Sequence, residues 1–254
     1  MKNKKSTKHQ ITLTVLFDNI SYSPKLKTEW GFSCVIKTGS DTILFDTGSN
    51  GKILLQNMEK LQIDPHSITS VIISHDHWDH VGGLADFLNV ADSKAKVFIL
   101  NSFTNKTEKE INKTSAKVIR VDLFRRIATG IFSLGELKGK IAEQSLAIRT
   151  AEGIVVITGC AHPGIVNILR HAHFILSTDQ MYLVMGGFHL KNDNREEITK
   201  AVNEIYKLDV KNVAPSHCTG KEAIDIFAQV FGDRFIKSGV GRVIEINGSV
   251  KMAK

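Results

Sequence analysis

The sequence predicts an α/β fold. Two observations carry this. Short apolar stretches of strand character alternate with stretches whose apolar residues recur at helical spacing. In the second half one unit repeats: a short apolar strand, a histidine at or just past its end, a glycine beside it, then a helix. A chain of 254 residues, 42% apolar and 23% charged, is long enough and ordinary enough in composition for a substantial core. It reads as a single unit over 1–254, with 1–9 as a flexible basic tail.

The elements follow in order. Residues 11–17, 31–37 and 42–45 read as strands, the last closed by Asp46-Thr47-Gly48. Ile53, Leu54, Met58 and Leu61 recur at helical spacing. Val71-Ile72-Ile73 is a short buried strand that ends at His75-Asp76-His77-Trp78-Asp79-His80, read as an extended loop; Gly82-Gly83-Leu84 then opens a short helix. Residues 96–100 and 117–121 read as strands, and the polar, poorly patterned 101–115 between them as a surface loop or lid. Residues 146–149 and 154–157 form a hairpin. A helix over 165–176 follows Gly159-Cys160-Ala161-His162. The strand 181–185 ends in Gly186-Gly187-Phe188-His189. Asn194 and Glu197 cap a helix marked by Ile198, Ala201, Val202 and Ile205. The strand 212–214 ends in Pro215-Ser216-His217-Cys218, and Thr219 with Glu222 is read as a capping box for the next helix.

Composition excludes several classes. No apolar run approaches the roughly 20 residues of a membrane span. The basic start runs into Asp18 and Asn19 without a cleavage site, so the reading is cytoplasmic, with no membrane partner. Three cysteines without paired spacing fit a reducing compartment. Lys+Arg 33 against Asp+Glu 26 gives +7: a lysine-rich surface, with a bias towards a small anionic substrate. No basic block interleaves with aromatics, which argues against nucleic acid. The oligomeric state is not legible.

The densest chemistry lies in 75–80. Imidazole and carboxylate are the usual nitrogen and oxygen ligands of zinc, iron and manganese. Alternate residues on an extended segment point to different sides, so His75 and His77 face one metal while Asp79 and His80 turn to a second. Neither set is complete. His162 is the best candidate to complete the first and His217 the second, because strand ends in α/β folds converge on one edge. His189 is either a further ligand or a substrate contact. Cys218 reads as a buried reduced thiol rather than a soft ligand. His9, His66, His171 and His173 carry no such setting.

These residues resemble the metallo-β-lactamase superfamily, whose His-x-His-x-Asp-His motif is matched by His75, His77, Asp79 and His80. Gly159 to Asn167, Gly186 to Leu190, His217 to Gly220, Asp18-Asn19 and Glu143 to Leu146 are similar to a branch that includes the dihydropterin-type ribofuranosylaminobenzene phosphate synthases. The resemblance implies a four-layer αββα sandwich with the site at one edge. It implies Asp46 as a support that orients a histidine. It implies two divalent ions, zinc foremost, with iron or manganese as alternatives, and a water or hydroxide nucleophile that Asp79 orients, or a water whose proton it takes. Hydrolysis of a small ester or phosphoester is the expected chemistry. A synthase or transferase of the pterin type is the alternative, and an iron redox protein a third reading. One departure stands out: where such members carry a bridging aspartate, this chain reads Gly186-Gly187-Phe188-His189, and no aspartate follows until Asp193. Thr219 and Gly220 at a helix start offer an anion site. Phe188 and Trp30 are candidates to stack on a flat ring.

Overall fold

The computed structural model describes residues 11–91, 95–177 and 180–246. The predicted tail 1–9 lies outside them. The strands are β1 (Ile11–Asp18), β2 (Phe32–Lys37), β3 (Thr42–Phe45), β4 (Ser70–Ile72), β5 (Lys96–Leu100), β6 (Lys117–Val121), β7 (Arg125–Ala128), β8 (Ile131–Ser133), β9 (Leu146–Thr150), β10 (Gly153–Thr158), β11 (Met181–Gly187), β12 (Asn212–Ser216) and β13 (Val243–Ile246). The helices are α1 (Gly51–Lys60), α2 (Trp78–Val81), α3 (Leu84–Ala91), α4 (Asn105–Ile111), α5 (Ile165–Leu176), α6 (Arg195–Lys207) and α7 (Lys221–Phe231).

One sheet runs β13-β1-β2-β3-β4-β5-β6 and the other β12-β11-β10-β9-β8-β7. Period-2 alternation explains how the second sheet serves two cores. Val155 and Ile157 of β10 join the apolar layer shared with the first sheet. Ile154 and Val156 turn to the other face, where they meet Ile168 and Leu169 of α5, Val202 of α6 and Phe227 of α7. Leu54 and Met58 of α1 and Phe87 and Leu88 of α3 pack on the first sheet. The expected αββα layering is what the chain forms. Among the described residues no helix is long and apolar enough to cross a membrane.

Strand direction builds the site. β3, β4, β5 and β6 pair in parallel, as do β10, β11 and β12. Parallel neighbours present their carboxyl ends at the same edge. The residues after β3, β4, β10, β11 and β12 are Asp46, the 75–80 cluster, Cys160 to His162, His189 and His217.

Some elements depart from the sequence reading. The 75–80 cluster is not extended throughout, because α2 starts at Trp78 and puts Asp79 and His80 on a helical turn. The region read as a loop or lid holds α4, which buries only Thr107 and Ile111, a pattern too short to show a helical period. β7, β8 and β13 are three- or four-residue strands with no readable alternation. The Asn194–Glu197 capping box forms as expected. The Thr219–Glu222 box does not: α7 is capped by Gly220, with no side-chain cap bond.

Candidate metal centre

Four residues at this edge hold left-handed backbone without being glycine: Asp46 (φ 57°), Ala161 (φ 62°), His189 (φ 54°) and His217 (φ 49°). Such backbone costs about 1–3 kcal/mol per residue, and it persists where surrounding contacts over-determine it. At Asp46 and Ala161 those contacts are visible. Asp46 Oδ1 accepts from the Ser74 N–H at 2.7 Å, and Oδ2 accepts from Ser74 Oγ at 2.7 Å. Thr47 grips the His80 carbonyl through both its N–H (2.9 Å) and its hydroxyl (2.8 Å). Glu143, fully buried, accepts from the N–H groups of Gly159, Cys160, Ala161 and His162 at 2.9–3.1 Å. Burial still pushes its carboxyl up, although the His162, Ala161 and Cys160 N–H groups pull the other way. Gln144 ties the sheets together, donating to the Ile73 carbonyl at 2.8 Å while accepting from Ser133 Oγ at 2.7 Å.

These supports set which ring nitrogen of each histidine is free. Ser74 spends its hydroxyl proton on Asp46, so its oxygen can only accept from His75 Nδ1, 2.9 Å away. His75 Nε2 is therefore left with its lone pair, 3.1 Å from His77 Nδ1. His80 Nδ1 sits 2.7 Å from Asp46 Oδ2, which directs His80 Nε2 towards Cys160 Sγ at 3.3 Å and Asp79 Oδ2 at 3.6 Å. His217 Nδ1 lies 2.8 Å from Asn19 Oδ1. Its Nε2 is buried, 3.3 Å from Asp79 Oδ2 and without a hydrogen-bond partner. His162 Nε2 is likewise buried and unpartnered.

Electrostatics suits cation binding. Burial, then the neighbouring His80, holds His75 well below its ordinary value. Burial and His189 push His162 down to about 3. Both are neutral, as a metal ligand must be. His80 is opposite: burial works against its charge, but the Asp46 carboxylate outweighs it and lifts it to about 9. A cation at its Nε2 must displace a proton. Asp79 stays ionised, because His217 and His80 overcome its burial and hold it below the usual carboxylate range.

The ligand-type atoms fall into groups within 4.8 Å: His75, His77 and His162; Asp79, His80, Cys160 and His217; and Cys160, His162 and His189. The orphaned Nε2 atoms and the nitrogen, oxygen and sulfur donor set fit divalent transition metals. Every sequence-predicted ligand is in one of these groups. Cys160, Glu143, Ser74 and Asn19 are additions to that reading. Cys160 carries a signal in the sequence, standing two residues before His162. Asp76 faces away from the groups, accepting from the Thr104 N–H (2.9 Å) and the hydroxyls of Thr104 and Thr107 (both 2.6 Å).

A family model described as Metallo-beta-lactamase superfamily matches residues 31–217. The chain belongs to this superfamily. It is 29% identical to the 7,8-dihydropterin-6-methyl-4-(beta-D-ribofuranosyl)-aminobenzene-5'-phosphate synthase of Methanocaldococcus jannaschii, over 91% of this chain and 95% of that one. It is 30% identical to Tm1679, whose crystal structure is described as a metal-dependent hydrolase of the beta-lactamase superfamily; the match covers 93% of this chain and 99% of that one at a TM-score of 0.78. The fold alone is shared with YhfI of Bacillus subtilis, at 16% identity and a TM-score of 0.70, over 94% of this chain and all of that one. Metallo-beta-lactamase superfamily members generally bind metal ions, and the three donor groups are candidate metal clusters.

Two expected substrate contacts, Phe188 and Thr219, are buried in this structure. Phe188 is 1% exposed and packs edge-on against Phe227, with ring centroids 5.4 Å apart, in the layer between the second sheet and its helices. Thr219 is fully buried, and its hydroxyl accepts from the Phe188 N–H at 3.0 Å. Gly220 remains half-buried at the α7 start. Trp30 lies 4.9 Å from the His217 ring, and Lys191 Nζ stands 4.3 Å above the Trp30 ring. His189 is exposed, its ring 4.2 Å from that of His162.

Proposed function

We propose that this chain is a metal-dependent hydrolase of a small ester or phosphoester, with two divalent ions, zinc foremost, held at the strand-end edge. The observation that supports this most is the convergence of histidine ring nitrogens and the Asp79 carboxylate on two adjacent groups. His75, His77 and His162 would hold one ion. Asp79, His80 and His217 would hold the other. Divalent ions held there would lower the pKa of a bound water to about 7 and would polarise the oxygen under attack. The chain's own residues do the rest. Asp79, kept ionised, accepts a hydrogen bond from the attacking water and orients it. Asp46, Ser74 and Asn19 hold the Nδ1 protons of His80, His75 and His217, which fixes the tautomers. Lys191, exposed beside Trp30 and the half-buried Gly220 turn, supplies a positive charge for an anionic substrate.

The M. jannaschii relative favours a second reading, a synthase of pterin type using the same groups. Metal analysis of the purified chain, followed by phosphodiester, ester and dihydropterin substrate panels, separates the readings. His77→Ala is expected to lose metal and turnover together while keeping its fold. If the chain bound no transition metal, or if His77→Ala turned over at the wild-type rate, the proposal would fail.

A further inference from the structure

We propose that Lys191, laid over the ring of Trp30, is a subsite for a second oxyanion of the substrate, one that does not react. This rests on the two-ion reading above and deepens it, because it assigns the charge that selects the molecule.

Both members of the pair are fixed by their surroundings. Trp30 stands in the connection from β1 to β2, between two anchored neighbours. The Glu29 N–H donates to the Asp18 carbonyl at 3.3 Å, and the Glu29 carboxylate accepts from Ser49 Oγ and Asn50 Nδ2, each at 3.2 Å. Gly31, at φ 144°, is pressed against α2: a Cβ there would come within 2.5 Å of the Asp79 carbonyl oxygen. The half-buried Trp30 ring therefore lies beside the Asp79 group, 4.9 Å from the His217 ring. Lys191 enters from the turn after β11. Its N–H donates to the Cys218 carbonyl at 3.2 Å, and a Cβ on Gly220 would meet Lys191 Cα at 2.7 Å and Cβ at 3.0 Å. Glycine at 220 leaves the room in which Lys191 crosses the α7 start. Nζ then stands 4.3 Å above the Trp30 ring, within the range at which an indole face attracts a cation.

That charge is not used elsewhere. Arg195 and Lys221, on the helices that follow, are met by Glu222 at 3.1 Å and Asp225 at 2.5 Å. Asp79 is met by His80 and His217, at 3.6 and 3.3 Å. Among the described residues no carboxylate pairs with Lys191, which is exposed. An indole face attracts the charge but offers no oxygen, so the ammonium keeps N–H donors for a ligand. Trp30 is the shared neighbour of Lys191 and His217, which sets the subsite one indole away from the Asp79 ion position. An ammonium at that remove serves a part of the substrate other than the one under attack. Lysine reads an oxyanion as a point charge, so phosphate and carboxylate share the chemistry it recognises. The substrate class is then a small ester or phosphoester that carries a second anionic group.

The test measures binding without turnover. Zinc-loaded wild type, Lys191→Met, Lys191→Arg and Trp30→Leu would be titrated by calorimetry with phenylphosphonate, para-phosphonobenzoate and para-phenylenediphosphonate. All three carry a non-hydrolysable phosphonate for the ions; the last two add a carboxylate or a second phosphonate across the ring. Wild type is expected to hold at least one two-headed ligand about 3–10-fold more tightly than phenylphosphonate, the size of an exposed but pre-ordered charge contact. Which of the two is preferred identifies the oxyanion as carboxylate or phosphate. The preference should vanish in Lys191→Met, persist in Lys191→Arg and shrink in Trp30→Leu, with phenylphosphonate affinity and zinc content unchanged in Lys191→Met. Equal wild-type affinity for all three ligands, or a preference that survives Lys191→Met, would overturn the subsite while leaving the two-ion reading intact. A chain that bound no zinc would sink both.

Discussion

Replacing Asp46 by asparagine keeps the side chain's size and changes only what its two outer atoms can do. The carboxylate accepts three bonds of 2.7 Å: Oδ1 from the Ser74 N–H, and Oδ2 from Ser74 Oγ and His80 Nδ1. An amide has one acceptor and one donor end, so one end must face the wrong way. If the NH2 takes the Oδ1 place, it meets the Ser74 N–H donor to donor. A buried, fully enclosed N–H then goes unsatisfied, at about 1–3 kcal/mol. If the NH2 takes the Oδ2 place, the hydroxyl of Ser74 can turn to accept, but His80 must move its proton to Nε2. That neutral tautomer spares the fold but fixes the proton at Nε2, the atom facing Cys160 and Asp79 that would have to give it up to a cation.

Asp46→Asn is therefore expected to lose about 1–3 kcal/mol of stability, or roughly 10–100-fold in metal affinity, or part of each. Urea unfolding of the metal-free chain measures the first. Zinc competition against a chromophoric chelator measures the second. The two losses should trade against one another, since each orientation of the amide avoids one of them. A variant that matches wild type in both assays would refute the argument that Asp46 sets the His80 tautomer.

Three further outcomes follow from the geometry. Asp79→Ala should lose bound metal, whereas Asp76→Ala should keep it and instead speed proteolysis within 101–115, because Asp76 anchors the start of α4; equal metal loss would refute the distinction. Phe188→Ala should destabilise the chain by about 3–5 kcal/mol in urea unfolding, as a core aromatic does, and Trp30→Ala should raise KM with stability nearly unchanged. The Cys34 thiol is pushed by burial from 9.0 up to about 12. Its folded value lies above its unfolded one, so the stability it confers is complete below pH 9 and lost as pH rises through 12. Cys34→Ala should therefore close the gap to wild type by about 1.4 kcal/mol per pH unit above pH 9, read by urea unfolding at successive pH values; a gap that does not change with pH would refute it.

The site was legible in sequence as far as its ligands are contiguous or sit at obvious strand ends. His75, His77, Asp79 and His80 announce themselves by spacing, and His162, His189 and His217 by their position after apolar strands and beside glycines. The supports were not legible as such. Glu143 acts on residues 16–19 positions away and Asn19 on one 198 away, contacts that no local pattern encodes. Phe188 follows the end of β11 and Thr219 closes the tight turn after β12, and proximity along the chain does not say that either side chain is buried. The short strands β7, β8 and β13 draw their stability from pairing, not from their own composition.

The strain at the edge joins these two halves of the reading. Asp46, Ala161, His189 and His217 each leave a strand and must reverse the chain at once to bring a group inward. Left-handed backbone does this in one residue, where a longer loop would leave the group free to wander. At Asp46 and Ala161 the cost, about 1–3 kcal/mol each, is offset by bonds that do not involve a metal: three to Asp46 and four from the 159–162 backbone to Glu143. Because those bonds exist within the protein itself, the ligand nitrogens are already aimed before a cation enters. Binding then has little ordering entropy left to overcome, and its free energy goes into affinity rather than folding. A chain built this way should lose its metal to a chelator and remain folded.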